Sequence, residues 1–261
     1  MKQARYLYRG RIWHGRLEDG ELVDQSGRRL TLDEVEVWLP PVIPNKMIGV
    51  ALNYADHAEE LGLAMPEEPV LFIKPNSSLV GHRSPVEYPR GIRHMHYEAE
   101  LVAVIGRPGR NIHREEALDY VRGYTIANDV TVRDFVGNMY RPPIRAKGQD
   151  TFGPIGPFLV DKEDVPDPGQ LAIRTYVNGH LRQEGHTSDM IFSVEDLIAF
   201  ISSFMTLEPG DMIWTGTPKG ISPVEPGDVM RVEIEGIGAL ENPVVLSPHL
   251  PQDVPTDKQE V

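Results

Sequence analysis

Two glutamates separated by a single residue, Glu98 and Glu100, stand immediately before the apolar run Leu101-Val102-Ala103-Val104-Ile105. That run, ended by Gly106, reads as a buried strand. Alternate side chains of a strand share a face, so both carboxylates should point the same way. At the mouth of a buried strand they repel one another unless a proton or a cation lies between them. Oxygen donors without thiols favour a hard divalent cation such as magnesium, manganese or calcium. The competing reading is a pair of solvated acids at a strand end. Asp129 stands at the end of the strand-like run Tyr124 to Val130, as a third ligand or as an ordinary cap or turn residue. His57 and Glu60 fall at i and i+3 of a short helix expected to start after Asn53 as N-cap. A carboxylate beside an imidazole orients the ring and raises its basicity, which a general base requires; the same spacing also suits a solvated helix face. Gly216 and Thr217, at the end of Ile213-Trp214-Thr215, can offer backbone N–H groups and a hydroxyl to a carboxylate, or form a plain turn.

These residues need elements to position them. Ile48-Gly49-Val50-Ala51-Leu52 and Val70-Leu71-Phe72-Ile73-Lys74 read as buried strands, the second stopped by Pro75. Residues 113–121 suggest a short helix. Ser193-Val194-Glu195-Asp196 carries a capping signature for a helix whose Leu197, Ile198, Ile201, Phe204 and Met205 form a core-facing stripe. Asp19-Gly20 and Asn178-Gly179 are hairpin turns. Residues 133–157 are polar and rich in Gly and Pro, without periodicity, and concentrate Arg133, Arg141, Arg145 and Lys147 in an otherwise acidic chain. A long irregular stretch of that kind reads as a substrate-covering loop. The Pro40-Pro41…Pro44 cluster marks a boundary. Residues 1–44 are therefore expected to form a small β-rich region, 45–246 the main domain, and 247–261 a frayed tail.

Composition narrows the function classes. The chain has 261 residues, 40% hydrophobic and 25% charged, as ordinary globular proteins have. With 26 Lys and Arg against 39 Asp and Glu, the net charge is −13, and no basic stripe is present to neutralise phosphates, so nucleic acid is not an expected partner. The absence of cysteine rules out disulfides, thiolate metal sites and cysteine nucleophiles. No run reaches the roughly 18 apolar residues of a membrane span, and residues 1–5 lack a signal-like apolar region, so a cytoplasmic enzyme without a membrane partner is expected. No repeat of the main domain occurs within the 261 residues.

In order along the chain, Leu52-Asn53-Tyr54-Ala55-Asp56-His57, Phe72-Ile73-Lys74-Pro75, His96-Tyr97-Glu98-Ala99-Glu100-Leu101, Gly123-Tyr124…Asn128-Asp129 and Gly216-Thr217-Pro218-Lys219-Gly220 resemble the fumarylacetoacetate hydrolase family. Arg182-Gln183-Glu184-Gly185 and Asp189-Met190-Ile191-Phe192-Ser193 resemble its isomerase/decarboxylase group. The resemblance implies a mixed, mostly β fold, a β-roll with a few short helices, assembled as a homodimer. It implies magnesium or manganese on Glu98, Glu100 and Asp129, with His57, Glu60 and Lys147 as catalytic residues. Arg133, Tyr140, Gly216 and Thr217 become substrate contacts. The chemistry implied is isomerisation or decarboxylation of a small 2-oxo or 2-hydroxy-dienoic diacid, 2-hydroxyhepta-2,4-diene-1,7-dioate of homoprotocatechuate degradation, through an enolate. Hydrolysis of an acylpyruvate and decarboxylation or tautomerisation of oxaloacetate suit the same apparatus, and a non-catalytic, metal-stabilised binding module is the reading outside enzymology.

Overall fold

The computed structural model describes residues 1–137 and 142–249. Five strands come first: β1 (Lys2–Tyr8), β2 (Arg11–Glu18), β3 (Glu21–Asp24), β4 (Arg29–Thr31) and β5 (Val37–Leu39). They are followed by β6 (Met47–Ala51), α1 (Ala55–Glu60), β7 (Val70–Lys74), β8 (Leu79–Val80), β9 (Val86–Tyr88), β10 (Met95–His96), β11 (Ala99–Ile105), β12 (Val121–Asn128) and β13 (Thr131–Val132). The remainder comprises α2 (Ile144–Lys147), β14 (Gly153–Asp161), β15 (Ala172–Val177), β16 (His180–His186), α3 (Val194–Phe204), β17 (Met212–Trp214), β18 (Pro223–Val224), β19 (Val229–Ile234) and β20 (Gly238–Leu246). The fold is mostly β. A large sheet runs β4-β3-β2-β1-β14-β12-β11-β17-β6-β7, with β5 on β1 and β8 on β14; a second runs β16-β15-β19-β20-β9, and a small third runs β13-β10-β18.

The unbroken apolar run of β11 has its reason in this arrangement. Leu101, Ala103 and Ile105 face a core shared with Ile173, Val232, Ile234, Leu240 and the α3 residues Leu197, Ile198 and Ile201. Val102 and Val104 face the opposite side, packed with Met212, Trp214, Ala127 and Ile155. A strand buried on both faces cannot alternate, so its pattern is continuous. Ser193 caps α3 reciprocally with Asp196, as its sequence predicts, but Phe204 is half exposed rather than part of the buried stripe. Both expected hairpins form, with φ of 51° and 83° at Asp19 and Gly20 and of 52° and 78° at Asn178 and Gly179. That left-handed pair of residues matches the twist of the flanking strands.

Three expectations change. The N-terminal region is stitched into the main sheet, because β1 pairs β14 at Lys2↔Val160 and Gln3↔Leu159. Residues 133–157 are not uniformly irregular: they contain α2, whose Ala146 and Lys147 are buried, and the start of the central strand β14. Gly153, Pro154, Gly156 and Pro157 hide that strand from a periodicity reading. Asn53 does not cap α1, where the N-cap position is Tyr54. Its carboxamide instead donates to Phe192 O (3.0 Å) and Thr215 O (2.8 Å) and accepts from Phe192 N (2.9 Å), tying the α1 entry to β17. Of the expected tail, 250–261 lie outside the described residues. Among the described residues no helix is long and apolar enough to cross a membrane.

His82 joins the N-terminal strands to the second sheet. Its Nδ1 accepts the Glu241 N–H (3.0 Å), and its ring meets the Trp38 ring edge-on at 5.4 Å. Burial, with help from Arg83 and Arg231, lowers its pKa from 6.5 to about 4. The unfolded chain therefore takes up a proton below its ordinary pKa that the native state refuses until about 4, so this contribution to stability is full above that ordinary value and shrinks as pH falls. His82→Asn keeps a nearby acceptor but cannot be protonated. It should show a shallower loss of thermal midpoint than wild type from neutral pH to about pH 5; equal slopes would remove His82 from the account.

Candidate metal centre and acid–base dyad

The strand that buries its apolar residues on two faces delivers Glu100 at its second position and Glu98 just before its start. Glu98 is fixed by its backbone: its N–H donates to Asn128 Oδ1 (2.9 Å), and its carbonyl accepts from Asp129 N (2.8 Å). Antiparallel pairing of β11 with β12 places Ala99 opposite Asn128, so Asp129 arrives beside Glu98 by register. Glu98, Glu100 and Asp129 are all buried, and one oxygen of each lies within 4.8 Å of the others. Solvated acids at a strand end do not fit this burial.

Three cations answer these carboxylates. Lys147 Nζ donates to Glu98 Oε2 (2.7 Å), Asp129 Oδ2 (2.6 Å) and Thr131 Oγ1 (2.9 Å). Lys74, with 1% exposure, donates to Asp129 Oδ1 (2.8 Å) and to the Lys147 carbonyl. Arg133 pairs with Glu98 through Nη2, and its Nε lies 3.4 Å from His96 Nδ1. Burial pushes the Glu98 carboxyl up, but Lys147 and Arg133 outweigh it and hold the pKa at about 2. Glu100 has a different balance. Burial and the charges of Asp129 and Glu98 raise it well above the carboxylate range, and its Oε2 accepts the Gly216 N–H (3.0 Å). Burial first, and then two neighbouring carboxylates, disfavour the charged form of Glu100, so further positive charge would relieve the site. Hard oxygen donors, burial and this deficit fit a divalent cation.

On α1, His57 Nδ1 and Glu60 Oε2 are 3.0 Å apart, and His57 is 4% exposed. Glu60 Oε1 accepts the Gly220 N–H (3.0 Å), so one carboxylate orients the imidazole and ties α1 to the loop carrying Gly216 and Thr217. His57 is thus buried while its partner Glu60 stays open to solvent. Gly216 has φ 87°, and a Cβ there would sit 2.9 Å from Asn53 Cβ, so the residue must be glycine. Its N–H serves Glu100 rather than standing free, and Arg133 is engaged by Glu98. Thr217 is buried; Tyr140 lies outside the described residues. Lys74, Thr131 and Asn128 were not singled out from the sequence. A lysine at the end of an apolar strand run, as in Phe72-Ile73-Lys74, is the signal that would have found the first.

Residues 46–245 match the family described as fumarylacetoacetate (FAA) hydrolase, C-terminal. The chain belongs to that family. It is 52% identical over 199 residues to the 4-hydroxyphenylacetate degradation bifunctional isomerase/decarboxylase of Salmonella dublin, covering 76% of this chain and 46% of that protein. The chain thus spans about half the length of such curated relatives. Among solved structures, 2-hydroxyhepta-2,4-diene-1,7-dioate isomerase from Mycobacterium marinum is 37% identical with a TM-score of 0.85, covering 95% of this chain and 100% of that one. Fumarylacetoacetate hydrolase from Exiguobacterium antarcticum is 36% identical with the same TM-score and the same coverage of each chain.

Removing Lys147 should expose the repulsion it suppresses. Lys147→Met is expected to destabilise the metal-free protein by about 3–5 kcal/mol, since it leaves buried carboxylates short of a partner. Added manganese should raise the thermal midpoint of the variant more than that of wild type. An equal manganese shift in both would contradict this electrostatic picture.

Proposed function

We propose that the protein is a divalent-metal-dependent isomerase/decarboxylase acting on a 2-oxo or 2-hydroxy-dienoic diacid, with 2-hydroxyhepta-2,4-diene-1,7-dioate of homoprotocatechuate catabolism as the substrate. The observation that carries the reading is the buried Glu98–Glu100–Asp129 cluster with Lys147 inside it and a His57–Glu60 pair on the adjoining helix. Its agreement with the named activities of the Salmonella and mycobacterial relatives supports the choice of substrate. Glu98, Glu100 and Asp129 would hold magnesium or manganese, which suit carboxylate oxygen. When bound, such an ion supplies Lewis-acid stabilisation of the negative charge that develops at the 2-oxo oxygen.

The protein's own groups do the rest. Lys147 adds fixed positive charge beside that oxygen in a water-poor site. Glu60 accepts from His57 Nδ1–H and leaves Nε2 as the nitrogen that takes the 2-hydroxyl proton of the dienol and delivers it to C5, giving the 2-oxo-3-ene isomer. In decarboxylation the carbon–carboxyl bond breaks, carbon dioxide leaves, its bonding electron pair passes into the conjugated 2-oxo system, and the resulting enolate oxygen takes a proton from water to give the 2-hydroxy-diene. Thr217 binds a substrate carboxylate; Arg133 and Tyr140 are the proposed further contacts, and Gly216 supports the site through Glu100. The assembly proposed is a homodimer and the compartment the cytoplasm. Hydrolysis of an acylpyruvate, with His57 activating water, is the second reading, favoured by the similarity to the Exiguobacterium hydrolase.

One assay separates these readings. With magnesium or manganese, the protein would be offered 2-hydroxyhepta-2,4-diene-1,7-dioate, 5-oxopent-3-ene-1,2,5-tricarboxylate, acetylpyruvate and oxaloacetate side by side. Fastest turnover of either of the first two is expected. Pyruvate released fastest from acetylpyruvate would move the protein to the hydrolases, and metal binding without any turnover would make it a binding module. Glu98→Ala should lose more than the roughly 10–100-fold that removal of an outer partner costs a metal site; full activity with full metal content would refute the site.

A further inference from the structure

Strand β16 is largely exposed, yet Gln183 at its centre is 1% exposed. The strand lies directly on the loop after β17, since a Cβ at Gly185 would be 2.5 Å from Pro218 Cβ. The Gln183 carboxamide makes four hydrogen bonds, two of them across that contact. Its Nε2 donates to Pro218 O (2.7 Å) and Thr217 Oγ1 (2.8 Å), and its Oε1 accepts from Thr175 Oγ1 (2.8 Å) and Ala99 N (3.4 Å).

Two of these partners act in one sense only. A peptide carbonyl accepts and a peptide N–H donates. Turning the amide over would bring its oxygen to 2.7 Å from the Pro218 oxygen and leave the Ala99 N–H facing an NH₂ group. The orientation is therefore determined, and with it the sense of the third bond: Thr217 Oγ1 accepts from Gln183. A hydroxyl that accepts still has its own hydrogen to donate. Among the described residues no protein group takes that hydrogen. Thr217 is buried beside Gly216, whose N–H is on the Glu100 carboxyl. A buried donor in that position selects a ligand acceptor, most strongly an ionised one.

We infer that Gln183 is a positioning residue: its fixed amide donates to Thr217 Oγ1 and takes nothing from it, so that the hydrogen of this hydroxyl is kept for a substrate carboxylate. The inference rests on the carboxylate-binding role of Thr217 proposed above. Because the same amide holds Ala99, between Glu98 and Glu100, it also keeps the donor in register with the carboxylate cluster.

Oxalate affinity of the manganese-loaded protein, measured by calorimetry, tests it in wild type, Thr217→Val, Gln183→Met and the double variant. Thr217→Val should weaken oxalate by about tenfold or more, as loss of a hydrogen bond to a charged group does. Gln183→Met should weaken it less, and the double variant should match Thr217→Val alone, because Gln183 acts through the hydroxyl. Effects that multiply in the double variant, or an unchanged affinity in Gln183→Met, would overturn the inference. Should Gln183→Met fail to fold, Gln183→Glu replaces it. Its carboxylate would accept the Thr217 hydroxyl, so affinity should fall as far as in Thr217→Val, and wild-type affinity would overturn the inference. Oxalate binding without turnover of any diacid overturns only the substrate assignment; no oxalate binding by wild type overturns both.

Discussion

Like-charge repulsion among three buried carboxylates is the constraint around which the centre of this molecule is organised. Glu98, Glu100 and Asp129 would not persist at such proximity without compensation, and compensation comes from several directions. Lys147 enters from a four-residue helix, Lys74 from the end of β7 and Arg133 from the turn after β13. Each approaches a different oxygen. The Asn128 carboxamide and the register of β11 on β12 then hold the acids where their partners can reach them.

The acids stand on strands of the main sheet or directly beside them, whereas the imidazole stands on a six-residue helix anchored to a loop by Glu60. Ligand positions are thus as rigid as the sheet, whereas the dyad is held through contacts of its helix, by Glu60 to Gly220 and by Asn53 at its entry to Phe192 and Thr215. This division suits chemistry in which charge must be stabilised at a fixed point while protons move between points.

Much of this was legible in the sequence, for reasons that differ by residue. The Glu-x-Glu spacing before an apolar run forces proximity by strand geometry alone, and Asp129 follows if the two strands are neighbours. His57 and Glu60 share a face because helix periodicity requires it. Partners that depend on long-range closure were not legible. Nothing local shows that Lys74 reaches an aspartate 55 positions away, or that Asn53 spends its carboxamide on Phe192 and Thr215 rather than on the helix it precedes. Strand β14 was missed because proline and glycine conceal the alternation on which strand recognition relies. The roles of Arg133 and Gly216 could not be refined without knowing that Glu98 and Glu100 claim their donors.

The pairing of β1 with β14 also bears on association. Without β1, the Leu159–Val160 end of β14, beyond the stretch that β8 covers, would present open backbone donors and acceptors of the kind that recruit a foreign strand. The N-terminal meander moves that boundary outward to β4, a strand of three residues flanked by Arg28 and bearing Arg29. A short, basic margin discourages further addition. At the far side the sheet finishes on β7, where Ile73 is half exposed. The two margins are chemically unequal: one is blunted and the other is apolar, so intermolecular strand addition is opposed on the side that the N-terminal residues guard.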